Sequence, residues 1–329
     1  MDKNELVVVA GGGGFIGGHL VQRLREEGFT QVRSVDVKPL SEWYQIVPGV
    51  ENMVLDLMQL EACRQAAAGA HDIYNLACDM GGIGFIELNK SACMLSVLIN
   101  SHLLMAAREA RTKRFFFSST ACVYNIAFQQ NPDVTALKES DAYPAQPEDG
   151  YGWEKLFSER MCRHFEEDYG IETRVGRYHN VYGPRGTYAG GREKAPAAIC
   201  RKVVEAQISG NLEIEIWGDG EQTRSFMFID DCLDGTRCLM DSDCSEPLNI
   251  GSSEIVTINQ LVDVVESIAG VKLKRRYKTD APQGVKGRNS DNTLVQKKIG
   301  WIPSTSLRDG MARTYEWIRA QMMDSTRNV

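Results

Sequence analysis

Leu6-Val7-Val8-Val9-Ala10-Gly11-Gly12-Gly13-Gly14-Phe15-Ile16-Gly17 is the stretch on which the fold turns. Its first five residues form an apolar run without polar alternation, which predicts a strand buried on both faces. The glycines then fall as G-x-x-G-x-x-G at Gly11, Gly14 and Gly17, and a helix is predicted from His19 to Glu27, stopped by Gly28. Such glycines permit a tight turn, a close approach of backbone to pyrophosphate, and close packing of helix on strand. The helix N-terminus adds unpaired N–H groups and the positive end of its dipole, which suit phosphates. A glycine-rich turn alone is weak evidence; strand, turn and helix in that order predict a dinucleotide site.

Outward from this stretch the same alternation continues. A strand from Gln31 to Val35 ends at Asp36, about twenty residues past the glycines, where a ribose-binding acid is expected. A carboxylate there accepts from the adenosine 2′-OH and repels a 2′-phosphate, so NAD is expected over NADP, with Lys38 the residue that argues the other way. Val54–Leu57 and Ile73–Ala77 read as further parallel strands, each followed by a crossover. The second runs into a loop, Cys78-Asp79-Met80-Gly81-Gly82-Ile83-Gly84, at the sheet edge where open α/β sheets bind ligands. Ser91–Ala110 reads as helix, Phe115–Ser119 as strand, Tyr151–Tyr169 as helix and Arg174–Tyr178 as a sixth strand. The expected fold is α/β: a Rossmann-type doubly wound parallel sheet with a smaller, discontinuous α/β substrate-binding domain. The first domain is expected over 1–179 and about 225–252, the second over about 180–224 and 253–329, since the alternation breaks after Asn180.

Composition narrows the class. A net charge of −7 argues against a general nucleic-acid binder, and Lys274-Arg275-Arg276 is too short a cluster to reverse it. The nine cysteines show no C-x-x-C and no paired His spacing, so no metal site is expected. Scattered thiols suit a reducing compartment. No targeting layout and no bilayer-length apolar run is read in the sequence, so a cytoplasmic protein without a membrane partner is expected.

Chemistry concentrates between Ser118 and Lys155. The strand Phe115-Phe116-Phe117 leads into Ser118-Ser119-Thr120-Ala121-Cys122, and the helix after it opens Tyr151-Gly152-Trp153-Glu154-Lys155. On a helix that spacing places the Tyr151 phenol and the Lys155 ammonium one turn apart on one face. A nearby cation favours the phenolate of a group that otherwise titrates near ~10. By itself Tyr-x-x-x-Lys usually marks a solvated face; the strand ending in hydroxyls and a thiol makes an active-site corner the better reading. Cys122 read alone is compatible with a small buried hydrophobe, and Lys194 with a solvated loop ammonium.

With these residues in hand, the chain resembles the extended short-chain dehydrogenase/reductases that remodel nucleotide sugars. The resemblance covers nearly the whole length: the glycine fingerprint, Asp36, Asp56, Thr120, Tyr151, Lys155 and Asn180-Val181-Tyr182-Gly183-Pro184. Within that superfamily it is similar to the GDP-mannose 3,5-epimerase family. That likeness rests on Asp79–Phe85, Ala121–Tyr124, Gly191–Ala198, Trp217–Phe226 and Gly287–Asn292. It departs in three places. Asn125-Ile126 stands where the family has Pro-Glu, Thr120 where many relatives have Ser, and Ser96-Val97-Leu98-Ile99-Asn100 where superfamily members carry Asn-Val-x-Gly-Thr, so no structural Asn is assigned.

The resemblance implies an oxidise, epimerise and re-reduce cycle with NAD as cofactor and a GDP-sugar as substrate. It implies that Gly11, Gly14, Phe15, Ile16, Gly17, Asp36, Asp56, Tyr151 and Lys155 hold the cofactor. Tyr151, Lys155 and Thr120 would act at C4, and Cys122 and Lys194 would be the acid/base pair at C3 and C5. Met80, Gly81, Gly82, Asn180, Glu193, Lys194, Ala195, Lys202, Gln222, Arg224 and Arg288 would hold the substrate, the two arginines as diphosphate contacts, and a homodimer is expected. Three rivals stay in view. A 4,6-dehydratase would need a carboxylate pair where Ala121-Cys122 stand; a 4-epimerase would leave Cys122 and Lys194 idle; a non-catalytic NAD-binding sensor would be expected to lose Tyr151 or Lys155.

Overall fold

The computed structural model describes residues 2–327. The chain opens with β1 (Val7–Ala10), α1 (Phe15–Glu26), β2 (Val32–Asp36), β3 (Glu51–Val54), α2 (Leu60–Ala67) and β4 (Asp72–Asn75). It continues through α3 (Ile83–Leu88), α4 (Lys90–Ala110), β5 (Arg114–Thr120), α5 (Tyr151–Tyr169) and β6 (Glu172–Tyr178). After these come β7 (Val181–Tyr182), α6 (Ala195–Ser209), β8 (Glu213–Trp217), β9 (Thr223–Ser225), β10 (Met227–Phe228), α7 (Ile229–Asp241) and β11 (Leu248–Ile250). The last part holds β12 (Ile255–Thr257), α8 (Ile258–Ala269), β13 (Lys274–Lys278), β14 (Gly287–Arg288), α9 (Thr293–Ile299) and α10 (Leu307–Arg327).

The central sheet has seven parallel strands in the order β11-β6-β5-β4-β1-β2-β3. The chain winds outward from β1 to β3, then returns to β4 on the other side, so the order reverses between β1 and β4. That reversal opens a crevice at the carboxyl ends of the strands. Alternate side chains of β1 face opposite layers: Val7 and Val9 pack in one core with Leu20 and Leu24, Val8 and Ala10 in another with Ala66, Leu103 and Leu104. Burial on both faces is why the run reads as uninterrupted apolar. Phe115 and Phe117 face one core and Phe116 the other, by the same alternation.

Two sequence expectations need correction here. β3 ends at Val54, so Asp56 lies beyond the strand and accepts from the Met58 N–H (2.9 Å) at the start of the turn into α2. And α4, at 21 residues, is long and apolar enough by length and composition to cross a bilayer, against the expectation that no run reaches that length. Its Cys93, Ser96, Asn100, Leu103, Leu104, Ala106 and Ala107 are buried, and it packs against α2 and α5. Its apolarity is that of a helix covering the sheet.

Leu248–Ile250 returns to the central sheet as the edge strand beside β6. Met227–Phe228 does not; β10 pairs with β7 outside it. Beyond β6, three small sheets and helices α6, α8 and α10 form a body over the carboxyl edge. Its placement decides what faces the crevice.

Candidate active site

The glycine turn is shaped by close contact. Gly11 has φ +82, and a Cβ there would lie 2.9 Å from the Leu76–Ala77 backbone. A Cβ on Gly17 would lie 2.1 Å from the Gly11 carbonyl oxygen. Gly14 caps α1 with no side-chain acceptor, and no acidic residue occupies the first turn. The Phe15, Ile16 and Gly17 amides are therefore left for an anion, a cradle that a side chain would fill. Asp36, 8% exposed at the end of β2, accepts from the Lys38 N–H (3.1 Å). The Lys38 ammonium is turned back to the Gly13 carbonyl (3.0 Å) and sits over the Tyr44 ring. The cation that argued for a 2′-phosphate is thus engaged, and the donor set fits NAD.

Across the crevice, Tyr151 opens α5 and is 5% exposed, and the Thr120 hydroxyl acts to lower the pKa of its phenol. Lys155, 1% exposed, donates to the Ser118 carbonyl (3.1 Å) and lies over the Phe117 and Tyr151 rings. Burial pushes the Tyr151 phenol well above its ordinary range, and Cys78, Cys122 and Glu154 push it further. This corrects the expectation that Lys155 sets the balance: in the protein alone desolvation outweighs the cation. Burial likewise works against the Lys155 charge, but Cys78 and Glu154 outweigh it and hold its pKa raised. Cys122 sits one short turn past Thr120, whose Oγ1 accepts from its N–H (3.3 Å). α5 passes so near that a Cβ on Gly152 would fall 2.4 Å from the Cys122 carbonyl oxygen. Burial, with Glu148 adding and Arg288 opposing, pushes the Cys122 thiol up to about 11.

Two stretches far apart in sequence clasp each other over this corner. The Gly82 N–H donates to the Arg192 carbonyl (3.0 Å), Arg192 bridges to Asp79 (2.6 Å), and its guanidinium lies 3.7 Å from the Phe85 ring centroid. Lys194 follows at the N-cap of α6, delivered to the site by that clasp. Burial lowers the pKa of its ammonium, with Cys122 and Cys78 the leading opposing influences. Gly82 has no room for a side chain, because a Cβ would lie 2.4 Å from the Glu193 carbonyl oxygen. Gly82→Ala is therefore expected to displace the 192–194 backbone and lower turnover by about 100-fold, as a misplacement of ~1 Å does. Circular dichroism and NAD titration should stay at parent values; unchanged turnover would show the clasp does not place Lys194.

The remaining predicted residues fall into distinct settings. Asn180, at φ +39, donates from Nδ2 to the Ser225 carbonyl (2.9 Å). Gln222 is 7% exposed; its Nε2 donates to the Trp217 carbonyl (2.9 Å), and its buried Oε1 finds no partner among the described residues. Met80 and Gly81 line the loop after β4, and Ala195 is the first residue of α6. The Glu193 carboxylate accepts from the Gly191 N–H (2.7 Å) and from Arg201 (3.3 Å). Lys202 donates to the Glu215 carbonyl (2.7 Å). Arg224 spends its guanidinium on the carbonyls of Thr223, Gln283 and Val285, and burial with Arg288 lowers its pKa to about 10. Of the two arginines expected at a diphosphate, Arg288 donates to the Cys122 sulfur (3.5 Å), while Arg224 has Arg288, Glu148 and Cys122 among the charges acting on it.

Four residues were not anticipated. Glu148 ion-pairs with Arg288, and Gln129 accepts from Arg288 Nε (2.7 Å). Both come from the long segment before α5, which reads as a polar loop because its partner strand is 140–159 residues away. Asn125, the departure at the Pro-Glu position, accepts from the Ala127 N–H (2.8 Å) and donates to the Pro144 carbonyl (2.8 Å), so it shapes that segment. Asn100, left unassigned from sequence, is 1% exposed and joins three elements: it accepts from Asn75 (3.0 Å) and donates to the Ser158 carbonyl (3.4 Å).

Residues 7–251 match the NAD dependent epimerase/dehydratase family. The chain is 46% identical to GDP-mannose 3,5-epimerase 1 of Oryza sativa subsp. japonica over 317 residues, 96% of this chain and 82% of that protein. It is 45% identical to the GDP-mannose 3,5-epimerase of Arabidopsis thaliana over 321 residues, 97% of this chain and 84% of that protein. Among solved structures it is similar to the UDP-glucose 4-epimerase of Thermotoga maritima with UDP-glucose. There the TM-score is 0.85 at 26% identity, covering 96% of this chain and 99% of that one.

Proposed function

The chain belongs to the NAD dependent epimerase/dehydratase family, and on that premise we propose that it is a GDP-mannose 3,5-epimerase. It converts GDP-D-mannose to GDP-L-galactose, with GDP-L-gulose as a further product, using bound NAD. One observation supports the reading: Cys122 packs with Tyr151 in one buried cluster, and the Lys194 ammonium is within electrostatic reach of that thiol. A 4-epimerase needs neither group.

The Gly11–Gly17 turn and Asp36 would hold NAD, which would supply the two-electron oxidation and re-reduction at C4 and, in its oxidised form, a positive charge favouring the Tyr151 phenolate. Tyr151 takes the C4 hydroxyl proton, and the Thr120 hydroxyl shares the hydrogen bond to that oxygen. Lys155, held by the Ser118 carbonyl, fixes a cation beneath the phenol. The 4-keto group acidifies C3 and C5. Burial leaves Lys194 readier to be a neutral amine and Cys122 a neutral thiol. The amine then accepts a carbon-bound proton and the thiol returns one to the other face. The Gln222 Oε1, without a partner among the described residues, supports the proposal that Gln222, Asn180, Met80, Gly81, Ala195, Glu193 and Lys202 hold the nucleotide-sugar body, with Arg224 and Arg288 toward its diphosphate.

Incubating GDP-mannose with the protein and NAD in D₂O tests this directly by proton NMR. Deuterium entering at C5, or at C3 and C5, without net redox change is expected, and Cys122→Ala should lower that exchange by about 100-fold. No exchange at either carbon in folded, NAD-bound protein would sink the reading.

A homodimer belongs to the same proposal. Met94, Leu95 and Met105 on α4 and Trp153 and Phe157 on α5 are large apolar side chains at 40–53% exposure, which supports pairing through these helices. Sedimentation equilibrium yielding only a 36.7 kDa species would refute it. The cytoplasmic setting is proposed on nine free cysteines, six of them buried, a pattern that suits a reducing compartment.

A further inference from the structure

Arg288 is 5% exposed and each of its three guanidinium nitrogens makes one hydrogen bond. Nε donates to Gln129 Oε1 (2.7 Å), Nη1 to Cys122 Sγ (3.5 Å) and Nη2 to the Glu148 carboxylate. Glu148 is tied to the same place a second time, because its backbone N–H donates to the Cys122 carbonyl (3.0 Å). Gln129 is in turn fixed by the carbonyls of Tyr124 and Asn125. Carboxylate and thiol therefore share one planar fork whose third side is pinned. A guanidinium holds such a geometry because its donors are coplanar and fixed relative to each other.

We infer that Glu148 is a positioning residue of the reaction: it holds the Arg288 guanidinium against the Cys122 sulfur and supplies the negative charge that opposes it. The inference rests on Cys122 being an acid/base group of the function proposed above.

The physical content is a charge balance at the sulfur. Arg288 alone would favour the thiolate, because an opposite charge at hydrogen-bond distance stabilises the ionised form. Glu148 counters it, and the thiol keeps its proton until a carbon acid needs one. Burial works against the Glu148 charge, but Arg288 and the Cys122 thiol outweigh it and hold the carboxyl below its ordinary range. The other ionisable groups around the sulfur are Lys194 at the start of α6, Tyr151 on α5, Arg224 on β9, and the Cys78 and Cys93 thiols, the latter on α4. Among them Glu148 is the carboxylate. During exchange the Cys122 S–H bond breaks as a C–H bond forms at the enolate carbon, and the resulting thiolate stays on the Arg288 fork. Lys194 carries the proton taken from the other face as an ammonium, so charge and protons balance within the site.

Glu148→Gln keeps the shape and an acceptor for Arg288 while removing the charge. The readout is the pH dependence of Cys122 alkylation by iodoacetamide in the NAD-loaded protein, followed on the Cys122 peptide by mass spectrometry. This reads the thiol whatever the substrate is, so it stands apart from the test of the reaction itself. In Glu148→Gln the alkylation midpoint is expected to fall by about one pH unit, making alkylation roughly tenfold faster at pH values below it. Glu148→Asp, which keeps the charge, should restore the parent midpoint, and Arg288→Gln should raise it. The alkaline limb of deuterium exchange into GDP-mannose, where the thiol loses the proton it must return, should move with the midpoint in Glu148→Gln. A parent midpoint in Glu148→Gln that still binds NAD overturns the inference. Should that variant not fold, a midpoint in Arg288→Gln that is unchanged or lowered does the same.

Discussion

Tyr151→Phe is expected to reduce deuterium exchange into GDP-mannose by about 10³-fold, within the range that a positioned acid/base group supplies, while NAD binding persists. The substitution removes one oxygen from a corner that is otherwise closed. The ring still packs against the buried cluster of Ile86, Cys93 and Cys122, so the loss falls on proton transfer and not on the fold. The same reasoning fixes the direction of the pH profile. Burial holds the phenol well above its ordinary pKa in the protein alone, so the ionised fraction grows about tenfold per pH unit as pH rises toward that value. Parent activity should climb with pH on its acid side, and that limb should vanish from the residual activity of Tyr151→Phe. Residual turnover within a few-fold of the parent would assign the C4 proton to another group.

Arg177→Met is expected to cost about 3–5 kcal/mol of folding stability, the scale for stranding one partner of a buried ion pair. Arg177 and Glu159 are 2% and 5% exposed and form a bidentate bridge of 2.9 and 2.7 Å between β6 and α5. Ser119 donates to the same carboxylate (2.5 Å), and Arg177 also donates to the Glu139 carbonyl (2.7 Å). The ion pair fixes the helix that carries Tyr151 and Lys155 to β6, and the Ser119 hydrogen bond fixes the same helix to β5, the strand that ends at Thr120. Removing the guanidinium leaves a buried carboxylate without its counter-charge. The urea midpoint of unfolding should drop accordingly. The double variant Arg177→Met with Glu159→Leu should recover part of the loss, since no charge is then stranded, while the Ser119 hydroxyl and Glu139 carbonyl still lose a partner. A double variant as unstable as the single one would show that hydrogen bonding, not charge, sets the cost.

What the amino-acid sequence determined by itself was whatever is local or periodic. An uninterrupted apolar run, a glycine turn and a helix lie within twenty residues, and their order already implies a parallel sheet with a dinucleotide at its edge. Tyr151 and Lys155 are legible because helical spacing alone brings them together. Asp36 is legible because it ends a strand. Boundaries were less so: α1 begins at Phe15 and not His19, and β3 ends before Asp56, because hydrogen bonds to neighbouring backbone decide where an element stops. α4 shows the limit of composition, since a helix that covers a sheet and one that crosses a bilayer can share their hydropathy. Only the tertiary structure decided that the 79–85 and 191–198 stretches clasp, that Lys194 at the start of α6 comes within electrostatic reach of Cys122, and that Arg288 joins Glu148 to the thiol across 140 residues of chain. The physical reason is that charge and desolvation act through space. A carboxylate in a polar loop is a solvated surface group until folding buries it against a guanidinium and a sulfur, and nothing in its sequence neighbours records that burial.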